Sequence, residues 1–167
     1  GMISHFPMIR SGLRRQGKAG RSMVDLHPKT CNLCRGKVVL VPNSKVYGKP
    51  YCSGKCYLCT KCGAFVGTHE PRPDEALGLL ADSRMRNAKK RCHTLFDRHW
   101  MDKEQKRTYR TAMYRWLADK MNIDVEDCHF GHFTLEQLEE AYMYLIRVKE
   151  LQMRIDKNGK AVFSSRS

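Results

Sequence analysis

Apolar residues along this chain change their period once. Between residues 37 and 67 they fall in short β-branched and aromatic runs: Lys37-Val38-Val39-Leu40-Val41, Ser44-Lys45-Val46-Tyr47, Lys55-Cys56-Tyr57-Leu58 and Ala64-Phe65-Val66-Gly67. Pro42-Asn43 and Gly48-Lys49-Pro50 interrupt them. Short runs bounded by turn residues read as strands, so the pattern predicts about four. Beyond residue 82 the period lengthens to that of a helix face. Met85, Ala88, Cys92, Leu95, Phe96 and Trp100 form one stripe. Tyr109, Ala112, Met113, Trp116, Leu117 and Met121 form a second. Leu135, Leu138, Tyr142, Leu145, Val148 and Leu151 form a third. The first helix starts after Asp82 or Ser83, both good N-caps. The second runs from about Lys103 to Met121. The third opens on a capping box, Thr134 with Gln137, and ends at Asp156-Lys157-Asn158-Gly159. Residues 68–82 form a connector that Pro71 and Pro73 keep extended; 122–133 reads as a polar loop.

Cysteines add chemistry to the strand region. Cys31-x-x-Cys34 and Cys59-x-x-Cys62 lie in separate turns, 24 residues apart. Structural zinc takes four tetrahedral ligands and favours thiolates. Two intervening residues let one tight turn aim both sulfurs at one ion, and a glycine soon after the second cysteine eases the sharp backbone bend. The turns read Cys31-Asn32-Leu33-Cys34-Arg35-Gly36 and Cys59-Thr60-Lys61-Cys62-Gly63. The expected cofactor is zinc, held by Cys31, Cys34, Cys59 and Cys62. Cys52 and Cys56 are alternatives, as a replacement ligand or a redox pair, because Cys56-Tyr57-Leu58-Cys59 is also C-x-x-C. Gly63 favours Cys59 and Cys62, and Cys56 falls where a strand should enter. The fold class that follows is α+β: small zinc-ribbon β-hairpins, then about three α-helices packed as one compact unit.

Composition narrows the partners. The chain has 167 residues, 41% of them hydrophobic, and a formal charge of +14. Such a surface attracts phosphate polymers. Residues 1–30 carry six basic residues (Arg10, Arg14, Arg15, Lys18, Arg21, Lys29) against one acid, Asp25, with glycines that interrupt a helix. They read as a basic flexible N-terminal arm. The organisation expected is therefore arm 1–30, ribbon 31–67, connector and helical region 68–155, and C-terminal tail 156–167. The sequence shows no signal peptide and no membrane-spanning run. Gly1-Met2 reads as a tag scar and Met23 as a plausible native start. The setting expected is cytoplasmic, where paired cysteines bind metal more often than they form disulfides.

The order of the pieces resembles an uncharacterised family of bacterial, phage and mobile-element proteins with a zinc-finger-containing domain. The residues that carry the resemblance are Cys31-x-x-Cys34, Val46-Tyr47-Gly48, Tyr57-Leu58-Cys59-x-x-Cys62 and Val66-Gly67-Thr68-His69 in the first part. Leu77-Gly78-Leu79-Leu80-Ala81-Asp82, His93-x-x-Phe96-Asp97, Tyr114-Arg115-Trp116-Leu117-Ala118 and His129-Phe130-Gly131-x-Phe133 carry it further. The resemblance implies a zinc ribbon followed by helices and no established activity. Pro50 to Lys55 departs from it.

Weighed against these features, an enzyme is not expected. Cys128, His129 and His132, or His93 with Asp97, suggest a second metal and a nuclease, but no histidine pair has a recognised nuclease spacing. His69, His93 and His129 read instead as buried polar links. The function expected is a nucleic-acid-binding accessory factor, contacting DNA or RNA without sequence preference. Lys37, Lys45, Lys49 and Lys61 would contact phosphates on the ribbon, with Arg84, Arg86, Lys89, Lys90 and Arg91 on the first helix. Tyr47, Tyr51, Tyr57 and Phe65 are candidate stacking rings. The alternative is a module that docks on a protein of the replication or transcription machinery.

Overall fold

The computed structural model of the protein describes residues 24–48 and 54–166. Most of the basic arm, together with Lys49, Tyr51 and Cys52, lies outside them. The described chain is α+β, with ribbon strands followed by three longer helices. It divides into two compact units: residues 23–87 with Gly131–Leu135, and Ala88–Phe130 with Glu136–Ser167.

The ribbon unit is built on a three-stranded antiparallel sheet of order β1-β2-β3: β1 Val38–Pro42, β2 Lys55–Cys59 and β3 Phe65–Gly67. Val38 pairs with Cys59, Val39 with Leu58, and Leu58 with Phe65. Side chains alternate across a sheet, so Val38, Tyr57 and Cys59 share one face. They form one buried cluster with Cys31, Ala64, Ala76 and Leu80. The run Ser44–Tyr47, expected as a strand, is a single helical turn, α1. The carbonyl of Asn43 accepts from the amides of Val46 and Tyr47, both at 3.0 Å. Gly48 then leaves the turn at φ 71°, a conformation glycine adopts without strain.

The connector completes this unit. Its backbone pairs Thr68 with Ala76 and Phe65 with Ala81. The Asn32 side chain clamps Leu80, donating to its carbonyl at 3.0 Å and accepting from its amide at 2.9 Å. The Leu79 amide donates to Gly131 O at 2.9 Å. Residues 24–30, assigned to the arm by charge, are also held here. The Ala76 amide donates to Leu26 O at 2.8 Å, and Thr30 bridges to Lys37.

The helical unit takes most of α2 (Ser83–Asp97), all of α3 (Lys106–Met121) and most of α4 (Leu135–Arg147). Asp82 caps α2, its Oδ1 accepting from the Met85 amide at 2.9 Å. Phe96, Met113, Leu117, Leu138 and Leu145 are fully buried. The third helix ends earlier than its stripe suggests. After Arg147 the chain turns into a hairpin, β4 Gln152–Ile155 and β5 Ala161–Ser164. Asp156-Lys157-Asn158-Gly159 is its turn, not a helix end. Asp156 Oδ1 accepts from the amides of Asn158 and Lys160 at 2.8 and 2.9 Å. Gly159 takes φ 79°. In a strand this short, Met153 buried beside exposed Arg154 cannot be told by period from a helix turn.

Candidate metal centre

Two equivalent backbone turns build the site. In the first, the Cys31 amide donates to Gly36 O at 2.8 Å and the Arg35 amide to Cys31 O at 2.9 Å. In the second, Cys59 N donates to Ala64 O at 2.9 Å and Gly63 N to Cys59 O at 3.0 Å. The left-handed position is the residue just after the second cysteine of each pair: Arg35 at φ 69° and Gly63 at φ 83°. Each turn therefore presents two sulfurs on one side.

The two turns meet sulfur to sulfur. Ligand atoms of Cys31, Cys34, Cys59 and Cys62 all lie within 4.8 Å of one another. Cys34 Sγ is 3.4 Å from Cys59 Sγ, and Cys31 Sγ is 3.8 Å from Cys62 Sγ. A tetrahedral ion with bonds of about 2.3 Å sets its sulfurs about 3.8 Å apart, so the set fits. Backbone amides point at the sulfurs as well. Leu33 N reaches Cys31 Sγ, Gly36 N reaches Cys34 Sγ and Lys61 N reaches Cys59 Sγ, each at 3.3 Å. Donors aimed at sulfur favour the thiolate. The Cys62 amide, helped by that of Lys61, holds the Cys59 thiol down to about 6 against opposing burial. Four crowded thiolates repel one another, and a bound cation relieves that repulsion.

A family model for a zinc-finger-containing domain matches residues 27–148. The chain belongs to that family. No curated protein and no solved structure matches the chain.

In this zinc-finger-domain protein the four thiols are the one group of three or more metal-ligating side chains that converges among the described residues. Cys56 stands apart from it. It is buried within β2, opposite Val41 and Gly67, and burial pushes its thiol up. It is neither a loop residue nor one of the converging four. Cys128, proposed beside His129 and His132, is likewise buried, and its thiol is pushed up to about 12.

Gly36 has a different task from the one its sequence position suggests. Its φ is not positive; a Cβ there would lie 2.5 Å from Lys61 Cβ and 3.0 Å from Cys59 Sγ. Gly36 is where one turn passes against the other. Gly36→Ala should therefore push the turns apart and weaken metal binding by about 10- to 100-fold, the scale of damage around first ligands. Competition with a chromophoric chelator measures this; unchanged affinity would refute the close-packing role.

The histidines differ from expectation. His93 and His129 are exposed where burial was expected: His93 lies edge-on to Phe130 at 4.8 Å, and His129 lies 6.1 Å from Tyr114. His69 is half-buried, its amide donating to Glu75 O at 3.0 Å. Among the described residues the buried imidazole is His99, 3% exposed and edge-on to Phe163. Burial, aided by Arg98, Arg166 and Lys103, pushes it down to about 4, so it is neutral. His99 sits at the end of a stripe that the period assigned to Trp100, and its burial depends on a hairpin distant in sequence.

The basic candidates divide by environment. Lys37, Lys45, Lys61, Arg84, Lys90 and Arg91 are exposed, and Lys89 is half-buried. Arg86 lies over the Phe65 ring at 4.3 Å and donates to Ala81 O at 2.7 Å. Of the candidate rings, Tyr57 is committed to the core, its hydroxyl donating to Asp74 O at 2.6 Å. Tyr47 is 52% exposed.

Proposed function

We propose that the metal is zinc in a purely structural role, and that the ribbon it organises binds nucleic acid without sequence preference. Four thiolates and no open ligand position suit a structural site rather than a catalytic one. The observation that carries the binding reading is the charge of the ribbon. From Leu26 to His69 the sequence holds Lys29, Arg35, Lys37, Lys45, Lys49, Lys55 and Lys61 and not a single Asp or Glu. A zinc ion with four thiolates contributes two negative charges. Arg35 and Lys61, in the turns themselves, offset these. The remaining lysines leave the segment with a positive charge that nothing acidic within it neutralises, and phosphate is its natural complement. The resemblance to phage and mobile-element proteins supports an accessory role in such elements.

Binding through phosphates releases counterions, so affinity should fall steeply with salt. Log affinity against log salt should have a slope of about −3 or steeper, for four or more neutralised phosphates at about −0.7 each on a single strand. Fluorescence anisotropy with a labelled oligonucleotide between low and moderate salt reads it. A flat response, or no binding at low salt, overturns the nucleic-acid reading and leaves the zinc site standing.

A further inference from the structure

We infer that the ribbon's ligand is a single strand, and that an unpaired base stacks on exposed Tyr47, beside the Phe65 face of the three-stranded sheet. This rests on the nucleic-acid reading above and narrows it. The sheet's other face is closed by the core around Val38, Tyr57 and Cys59. On the opposite face Val39, Leu58 and Phe65 stand side by side across the three strands, all half-buried, with buried Cys56 next along β2. Phe65 carries two attachments. Tyr47 meets it edge-on, with ring centres 5.7 Å apart at 88°, and Arg86 lies over it at 4.3 Å. Arg86 is fixed there by Ala81 O, and Ala81 is itself paired with Phe65 through both backbone groups.

The cluster is thus a ring from α1 and a guanidinium from α2, both placed against Phe65 of β3. Tyr47 keeps half its surface open to solvent. Bases stack on aromatic rings and on the planes of arginines. A duplex buries its base faces and offers only edges, so such a platform has nothing to stack on in double-stranded DNA. Charge sits where a backbone would run. Lys37 immediately precedes β1, two residues before Val39, and Lys45 shares the turn of Tyr47. An acidic peptide would satisfy the lysines but would leave the ring and guanidinium faces unused.

The test uses the full-length, zinc-loaded protein with labelled oligothymidylate of about 15 nucleotides, on the scale of one single-strand site. A duplex of equal length and polyglutamate are the comparisons. The single strand should bind at least tenfold tighter than the duplex. Tyr47→Ala should weaken single-strand binding about tenfold, leave duplex binding and the salt slope unchanged, and Tyr47→Phe should restore it. Lys45→Ala should instead flatten the salt slope by about 0.7. Equal affinity for strand and duplex, wild-type single-strand binding by Tyr47→Ala, or polyglutamate binding as tight as oligothymidylate overturns the inference. If strand and duplex bind alike with a steep salt slope, the broader reading survives and only this one falls. If neither binds at low salt, the broader reading has failed first.

Discussion

Replacing Cys59 by serine should unfold the ribbon unit and abolish stoichiometric zinc. The apolar cluster beside the metal turns is small: Val38, Tyr57, Ala64, Ala76 and Leu80, alongside the ligands Cys31 and Cys59. A core of this size cannot offset the conformational entropy of ordering its chain. Structural zinc in small domains supplies about 10–16 kcal/mol of apparent binding energy near neutral pH, much more than these side chains add by burial. Elemental analysis should find one zinc per wild-type chain and essentially none in Cys59→Ser. A chelator should expose four additional reactive thiols in the wild type. The dependence on pH has a definite sign. Zinc needs the thiolates, so protons compete with it. The site is strongest at neutral to alkaline pH and is lost as the solution becomes acidic. Cys56→Ser is the comparison, because that thiol lies outside the cluster; it should keep its metal. If Cys59→Ser keeps one zinc and melts like the wild type, the four-cysteine assignment fails.

Gly78→Ala should be the most damaging substitution away from the metal. A Cβ at this position would land on the carbonyl oxygen of Gly131, with the carbonyl carbon 2.8 Å away. Both obstacles are backbone, so no side chain can swing aside. The next residue makes the hydrogen bond from Leu79 N to Gly131 O, which must break or bend if the two segments separate. Overpacking of this kind costs about 3 kcal/mol, and a strained hydrogen bond adds to it. Thermal or urea unfolding of zinc-loaded protein measures the loss. Gly131→Ala is the internal control, since the nearest atom to its added Cβ is Leu77 O at 3.9 Å. Equal stability of the two variants would refute the steric account.

What the sequence makes legible here is what is local. Two sulfurs separated by two residues share a turn whatever surrounds them, so both halves of the metal site can be read from spacing. Asp82 as a cap is legible for the same reason: its partner, Met85, is three residues away. The task of Gly36 is not, because the atoms it must clear belong to Lys61 and Cys59 in the other turn. Ser44–Tyr47 has β-branched character but is too short for propensity to win. A proline ends the strand before it and Gly48 permits a left-handed exit, so the backbone closes a helical turn. His99 and His93 trade places for a similar reason. Burial at the end of a helix is decided by what packs over it, here Phe163 from a hairpin more than sixty residues later. The C-terminal hairpin itself hides behind Val148 and Leu151, whose spacing prolongs the helical stripe past Arg147.

The Gly131–Leu135 segment, which belongs with the ribbon although both its flanks belong with the helices, has a consequence for the order of manufacture. As the chain leaves the ribosome, all four zinc ligands are out by residue 62, but the carbonyl that accepts from Leu79 emerges only about seventy residues later. The metal turns can close early and hold a nascent ribbon, while its last edge waits for most of the helical region to be translated. A fragment that stops after residue 87 would reproduce that waiting state rather than the finished unit.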